Sequence, residues 1–117
     1  MRCSPAVTSC SDVEDGNPDG ICQGAHGAVW TAVPEAHELR RILPGGTVTH
    51  RARFGTWSPL APALGGPDRS TLYVCVVEFD DVQDIINAMA DPTDADQVCR
   101  GRIDVVEGVD VAGAGWP

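Results

Sequence analysis

Asp19-Gly20-Ile21-Cys22-Gln23-Gly24-Ala25-His26-Gly27-Ala28-Val29-Trp30-Thr31-Ala32 is the stretch that decides the fold, because its layout returns further along the chain. The second copy is Pro62-Ala63-Leu64-Gly65-Gly66-Pro67-Asp68-Arg69-Ser70-Thr71-Leu72-Tyr73-Val74-Cys75. Ile21 falls over Leu64, Val29 over Leu72 and Trp30 over Tyr73, each at an offset of 43 residues. Each copy reads as a short apolar strand, a turn of Gly, Asp or Pro, and a strand carrying an aromatic. A period of about 40–50 residues with this content is the mark of a propeller blade, four antiparallel strands running from axis to rim.

Working outward, Glu38 to Leu43 and Thr47 to Phe54 are predicted to form the outer pair of the first blade. Pro44-Gly45-Gly46 is the hairpin turn between them. In the second blade, Thr71 to Glu78 is followed by an insertion over 79–100 and a third strand over Arg102 to Val109. Inside the insertion, Val82, Ile85, Ile86 and Met89 give Val82 to Ala90 a helical apolar stripe, with Asp80-Asp81 as its cap and Asp91-Pro92 as its stop. The expected fold is therefore all-β, about two blades of a β-propeller with a short helical insertion near 80–90. Residues 1–14 form an irregular segment, 15–57 one blade, and 58–117 a final, incomplete blade. Seven strands do not close a ring, and the polar run before Asn17 offers no eighth. A small α+β domain around the helix would leave the repeat as coincidence.

Composition narrows the function. With 17 acidic and 8 basic residues the net charge is −9, a surface that repels phosphate backbones and anionic lipid. Nucleic acid and membranes are excluded as partners on that ground. A hydrophobic fraction of 43% argues against disorder, while 13 glycines and 9 prolines fit short strands joined by tight turns. All eight basic residues are arginine, and the pairs Arg40/Arg41 and Arg51/Arg53 are expected on solvated strands. Five cysteines without a Cys-x-x-Cys match no zinc pattern and fit free thiols in a reducing, cytoplasmic setting. No apolar run approaches the ~20 residues of a membrane span.

Several separate motifs, in order, resemble the end of the gluconolactonase/regucalcin (senescence marker protein) family. They are Asn17-Pro18-Asp19-Gly20-Ile21-Cys22, Gly27-Ala28-Val29-Trp30, Gly45-Gly46-Thr47-Val48, Ala63-Leu64-Gly65-Gly66-Pro67-Asp68 and Thr71-Leu72-Tyr73-Val74, with the closing Val109-Asp110-Val111 and Gly113-Ala114-Gly115-Trp116-Pro117. The resemblance implies a six-bladed propeller that holds a divalent cation, Ca2+ or Zn2+, near its axis and hydrolyses a small-molecule lactone or ester. It implies that Asp19, in the Pro-Asp-Gly turn, is a metal ligand and a catalytic carboxylate. The family's glutamate and asparagine ligands have no counterpart in this sequence. The chain is thus expected to be the C-terminal part of a metal-dependent sugar lactonase, inactive alone. The alternative is a non-catalytic remnant, or a calcium-binding or interaction module, that needs a partner to complete the ring.

Each candidate has a plainer reading. Asn-Pro-Asp-Gly is a common turn composition in which Asp bonds its own backbone. His26, His37 and His50 have no metal-ligand spacing and read as exposed surface histidines. Cys22 and Cys75 read as small core hydrophobes. Trp30 and Tyr73 read as packing between blades, and Trp57 as a residue that could line a substrate mouth. Gly65-Gly66-Pro67-Asp68 is a turn, and the aspartates of 80–96 are a solvated insertion. An open ring leaves both outer blade faces, which normally pack on neighbours, exposed together with unpaired strand edges, so self-association through open blade edges is expected.

Overall fold

In the computed structural model, residues 6–7, 10–79, 82–91, 93 and 100–109 are described. Among them the fold is all-β apart from one short helix. The first sheet is built in chain order from β1 (Ile21–Gln23), β2 (Val29–Val33), β3 (Glu38–Ile42) and β4 (Val48–Arg53). The second contains β5 (Ser58–Gly65), β6 (Thr71–Glu78) and β7 (Arg100–Val106). Every neighbouring pair is antiparallel, so each sheet is a meander, the arrangement of propeller blades. Helix α1 (Val82–Ala90) lies between β6 and β7, over the residues its apolar stripe predicted. Its expected caps, Asp80-Asp81 and Pro92, and the closing run from Asp110 lie outside the described residues.

Local chemistry explains the strand ends. The β3–β4 turn needs two successive residues in the left-handed region, and Gly45 (φ 98°) and Gly46 (φ 99°) supply them without a Cβ clash. Gly46 N–H donates to Leu43 O at 2.9 Å and closes the turn. Strand β5 carries Pro59 and Pro62 in mid-strand, which a central strand does not tolerate because proline has no N–H to donate. It is an edge strand of its sheet, and its ladder shifts register between Pro59 and Ala61.

The two sheets pack face to face, with β1 and β2 of the first against β5 of the second. Trp30, Ala32 and Leu39 point into this interface from one side, and Leu64, Leu72, Val74 and Val76 from the other. Burying a side chain of this size stabilises the fold by about 1.5–3 kcal/mol relative to leaving it in water. The core of the described structure is therefore the seam between blades. A backbone bond crosses at the same place: Gly20 N–H donates to Leu60 O at 2.8 Å. A Cβ on Gly20 would sit 2.6 Å from that oxygen and 2.7 Å from Ala61 Cα, so glycine is what lets the sheets approach.

Trp30 and Tyr73, matched in the repeat, have opposite fates. Both lie on the same side of their own sheets, but Trp30 is covered by the second sheet and is 1% exposed, whereas Tyr73 is 42% exposed. The expectation of packing between blades holds for Trp30 and is corrected for Tyr73. Cys75, expected in a core, is also exposed, because it shares the open face with Tyr73. Cys22 is half-buried against the core, as expected.

Candidate functional site

The Pro-Asp-Gly turn sits where β1 begins. Asp19 N–H donates to Ala32 O and Ala32 N–H to Gly20 O, both at 2.9 Å, so the ladder of β1 and β2 extends back through the turn. One residue earlier, Asn17 is clamped by Glu35 of the Pro34–Ala36 turn. Its backbone N–H donates to Oε2 at 3.0 Å and its amide nitrogen to Oε1 at 3.3 Å. The hydrogen bond from the Asn17 backbone, with that from its side chain, holds the Glu35 carboxyl below its usual range, against a smaller opposing effect of burial. Asp19 is thus a solvent-exposed carboxylate on a backbone fixed from three sides.

The strand registers set which residues share its end of the sheets. The Pro34–Ala36 turn, the Phe54–Trp57 connection, the end of β6 at Glu78 and the start of β7 at Arg100 all lie at the Asp19 end. The turns containing Gln23 and His26, Pro44 to Gly46, and Gly66 to Ser70 lie at the opposite end. In that last turn Asp68 accepts from Ser70 N–H and Oγ–H at 3.2 and 2.8 Å, as a turn aspartate should. At the Asp19 end, Glu78 accepts from Thr56 Oγ1–H at 2.7 Å and pairs with Arg100 at 3.5 Å. His37 Nδ1 lies 3.2 Å from both Trp57 O and Ser58 Oγ, bracing the connection between sheets. His26, His37 and His50 are all exposed and share no site, in line with the sequence.

Trp57 does not offer a free ring to a mouth. It is half-buried against the core, and the Arg102 guanidinium stacks over it at 4.0 Å from the ring centre. The ring is enclosed because β7 brings Arg102 across from a sequence position 45 residues away, which local composition does not reveal.

Sequence reasoning missed a charged cluster. Glu38 is buried and accepts from Arg40 Nε–H at 2.7 Å, from Arg51 and from Arg53 Nε–H at 3.2 Å. Arg40 and Arg41 are buried, which corrects their placing on a solvated strand. The register explains it: Glu38 pairs with Arg53 and Arg40 with Arg51, so all four side chains emerge on one face. Burial pushes the Glu38 carboxyl up, yet the hydrogen bonds from Arg40, Arg51 and Arg53 and the charge of Arg40 outweigh it and hold the group below its ordinary value. Alternation of Glu38, Arg40, Arg51 and Arg53 across a hairpin was the available signal. One carboxylate serves three guanidiniums, a net charge of +2, and the role of the cluster is structural.

A second correction concerns the cysteines. Cys22 and Cys75 form no disulfide, but Cys10 is disulfide-bonded. Spacing alone gives no sign of this, since a disulfide depends on where two chain segments meet.

A cation of the hard, oxygen-seeking kind takes six to eight ligands. Asp19 supplies one carboxylate, and among the described residues no group of three or more His, Cys, Asp or Glu is placed to hold a metal ion. The donor set of the described residues does not complete such a site.

Two neighbouring meander sheets, packed face to face with an aspartate turn at the start of β1, define partial blades of a propeller. The family model described as the SMP-30/Gluconolactonase/LRE-like region matches residues 4–78, more than half of the chain, and the chain belongs to that family. No curated protein matches it.

Proposed function

We propose that this chain carries one portion of a divalent-metal-dependent hydrolase of sugar lactones or related esters, and that it is inactive alone. The observation that supports this reading is that Asp19 is exposed where β1 begins, on a turn clamped by Glu35 and tied to the neighbouring sheet through Gly20. Asp19 would contribute one oxygen ligand for Ca2+ or Zn2+, and a carboxylate able to take a proton from an attacking water. The remaining ligands and the substrate contacts would come from other blades. The proposal includes a cytoplasmic setting, which the absence of disulfides at Cys22 and Cys75 supports and the disulfide of Cys10 weighs against. No helix among the described residues is long and apolar enough to cross a membrane.

Titrating the chain with Ca2+ and Zn2+ by calorimetry and NMR tests the reading. Binding is expected at about 1 mM or weaker, as a site short of ligands gives, centred on Asp19 and lost in Asp19→Ala. No turnover of an aldonolactone above buffer is expected. Micromolar binding that survives Asp19→Ala, or turnover unaffected by it, would overturn the assignment. One observation favours the second reading, a non-catalytic interaction module: Tyr73, Ile103 and Val105 are exposed on one face of the second sheet.

A further inference from the structure

Ile21 lines a hollow on the outer surface of the first sheet and another in the cleft where β1 meets β5, and the two differ in what they can recognise. The first, of about 320 Å3, lies between the segment before β1 and the β3–β4 turn. Among the described residues that line it none is charged, so its wall has little with which to select a ligand. The cleft is larger, about 420 Å3. Its walls include Ile21, Cys22 and Gln23 of β1, Pro62 and Leu64 of β5, and Arg69 from the turn between β5 and β6. The bond from Gly20 N–H to Leu60 O ties the two strands at the Asp19 side. From there the cleft runs toward the opposite end of the sheets, where Gln23 and the turn from Gly66 to Ser70 lie.

Arg69 is the one charged residue among the described residues of the cleft wall, and the rest is apolar but for Gln23 and Cys22. Its backbone is left-handed, φ 58°, with its N–H donating to Gly66 O at 3.2 Å. An L side chain adopts that conformation at a cost that glycine would avoid. Strain kept at a residue that lines a cavity points to a use for its side chain. The neighbouring Asp68 carboxylate is held by Ser70 and is not part of the wall. The Arg69 Nε atom is buried, which withdraws that part of the guanidinium from competing water. A guanidinium has five N–H donors, enough to serve a ligand beside the contact it makes within the chain.

We propose that this cleft is a binding site for a small organic acid with one carboxylate and an apolar body. Arg69 receives the carboxylate through paired N–H groups, whose spacing matches the two carboxylate oxygens. Gln23 adds an amide beside it, and Ile21, Pro62 and Leu64 take the apolar part out of water. One cation among apolar walls favours a monocarboxylate over a phosphate ester, whose second charge has no counterpart there. On a chain of net charge −9, that local cation is what admits an anion. The volume falls in the range of about 300–1,000 Å3 typical of small-molecule sites. The site lies at the far end from Asp19, and it rests on no part of the hydrolase reading.

Hydrocinnamate is the probe, titrated to about 10 mM into the isotope-labelled full chain and followed by NMR, a range that captures weak binding. Saturable shifts are expected at Ile21, Gln23, Leu64 and Arg69. Phenylpropylamine has the same body with the opposite charge, and acetate has the charge without the body. Each should bind at least about tenfold more weakly. Arg69→Gln should weaken hydrocinnamate by about tenfold or more. If that variant loses its fold by circular dichroism, Ile21→Asp decides the matter. Ile21 is 64% exposed, so the fold should tolerate the change, and the new carboxylate should repel the probe by a similar factor. No saturation, shifts centred outside the cleft, inorganic phosphate binding as well as hydrocinnamate, or binding indifferent to both substitutions overturns the proposal.

Discussion

Glu38→Ala is the substitution whose cost the structure sets most clearly. The Glu38 carboxylate is shared by three arginines, but they do not contribute equally. Arg40 has a side chain only 3% exposed, whereas that of Arg53 is 76% exposed. An exposed ion pair contributes about 0–1 kcal/mol, because water competes for both charges. A buried guanidinium that loses its counter-charge costs about 3–5 kcal/mol. With Glu38 gone, Arg40 keeps the Glu14 carbonyl as its hydrogen-bond partner among the described residues and loses its counter-charge. We expect Glu38→Ala to lose about 3–5 kcal/mol, nearly all of it from Arg40. Against the 5–15 kcal/mol of a typical domain that is a large share, and Tm should fall by about 10–20 °C. The assay is urea unfolding followed by the fluorescence of buried Trp30, with calorimetry beside it. Arg53→Gln is the internal control and should cost less than about 1 kcal/mol. Replacing the buried pair together, Glu38→Leu with Arg40→Met, should restore most of the loss, since apolar side chains of similar volume pay no desolvation. If Glu38→Ala falls within about 1 kcal/mol of wild type, or if Arg53→Gln matches it, the reasoning from burial is refuted.

Two further outcomes follow from the same geometry. Gly20→Ala places a methyl against the Leu60 oxygen and the Ala61 backbone, neither of which can move without parting the sheets. It should cost more than about 2 kcal/mol in the urea midpoint, and a change below about 0.5 kcal/mol would show that the seam yields. On acidification, the depressed pKa of Glu38 means that the native state binds this proton more weakly than the unfolded chain does. Its contribution is complete above the unfolded carboxylate value of about 4.3 and is lost as pH falls through the lower folded value. Wild-type stability measured from pH 6 down to pH 2 (the chosen assay range, roughly spanning both values) should therefore drop more steeply than that of Glu38→Gln, and equal slopes would count against the pairing. Glu35, Asp68 and Asp91 are lowered too, so the Glu38→Gln curve should still slope.

The sequence by itself determined the strands and the turns between them. Turn composition, the Gly45-Gly46 pair and the 43-residue repeat depend on neighbours along the chain, and they placed the strands to within a few residues and α1 over Val82–Ala90, the largest shift being β7 at Arg100–Val106 where Arg102 to Val109 was expected. The turn carrying Asp19 was legible for the same reason. What only the tertiary structure decided is which face of each strand is covered. Trp30 and Tyr73 occupy the same place in the repeat, and one is buried while the other is open because only one has a sheet beside it. Arg40, read as solvated, became buried once the β3–β4 register set it beside Glu38, Arg51 and Arg53 on one face and the segment before β1 closed over it, while Arg51 and Arg53 stayed exposed. Asp19 is the same case at the site. Its turn is local, but whether its carboxylate becomes one ligand of a cation site depends on groups converging from elsewhere, and convergence is a property of packing that no single stretch of residues encodes.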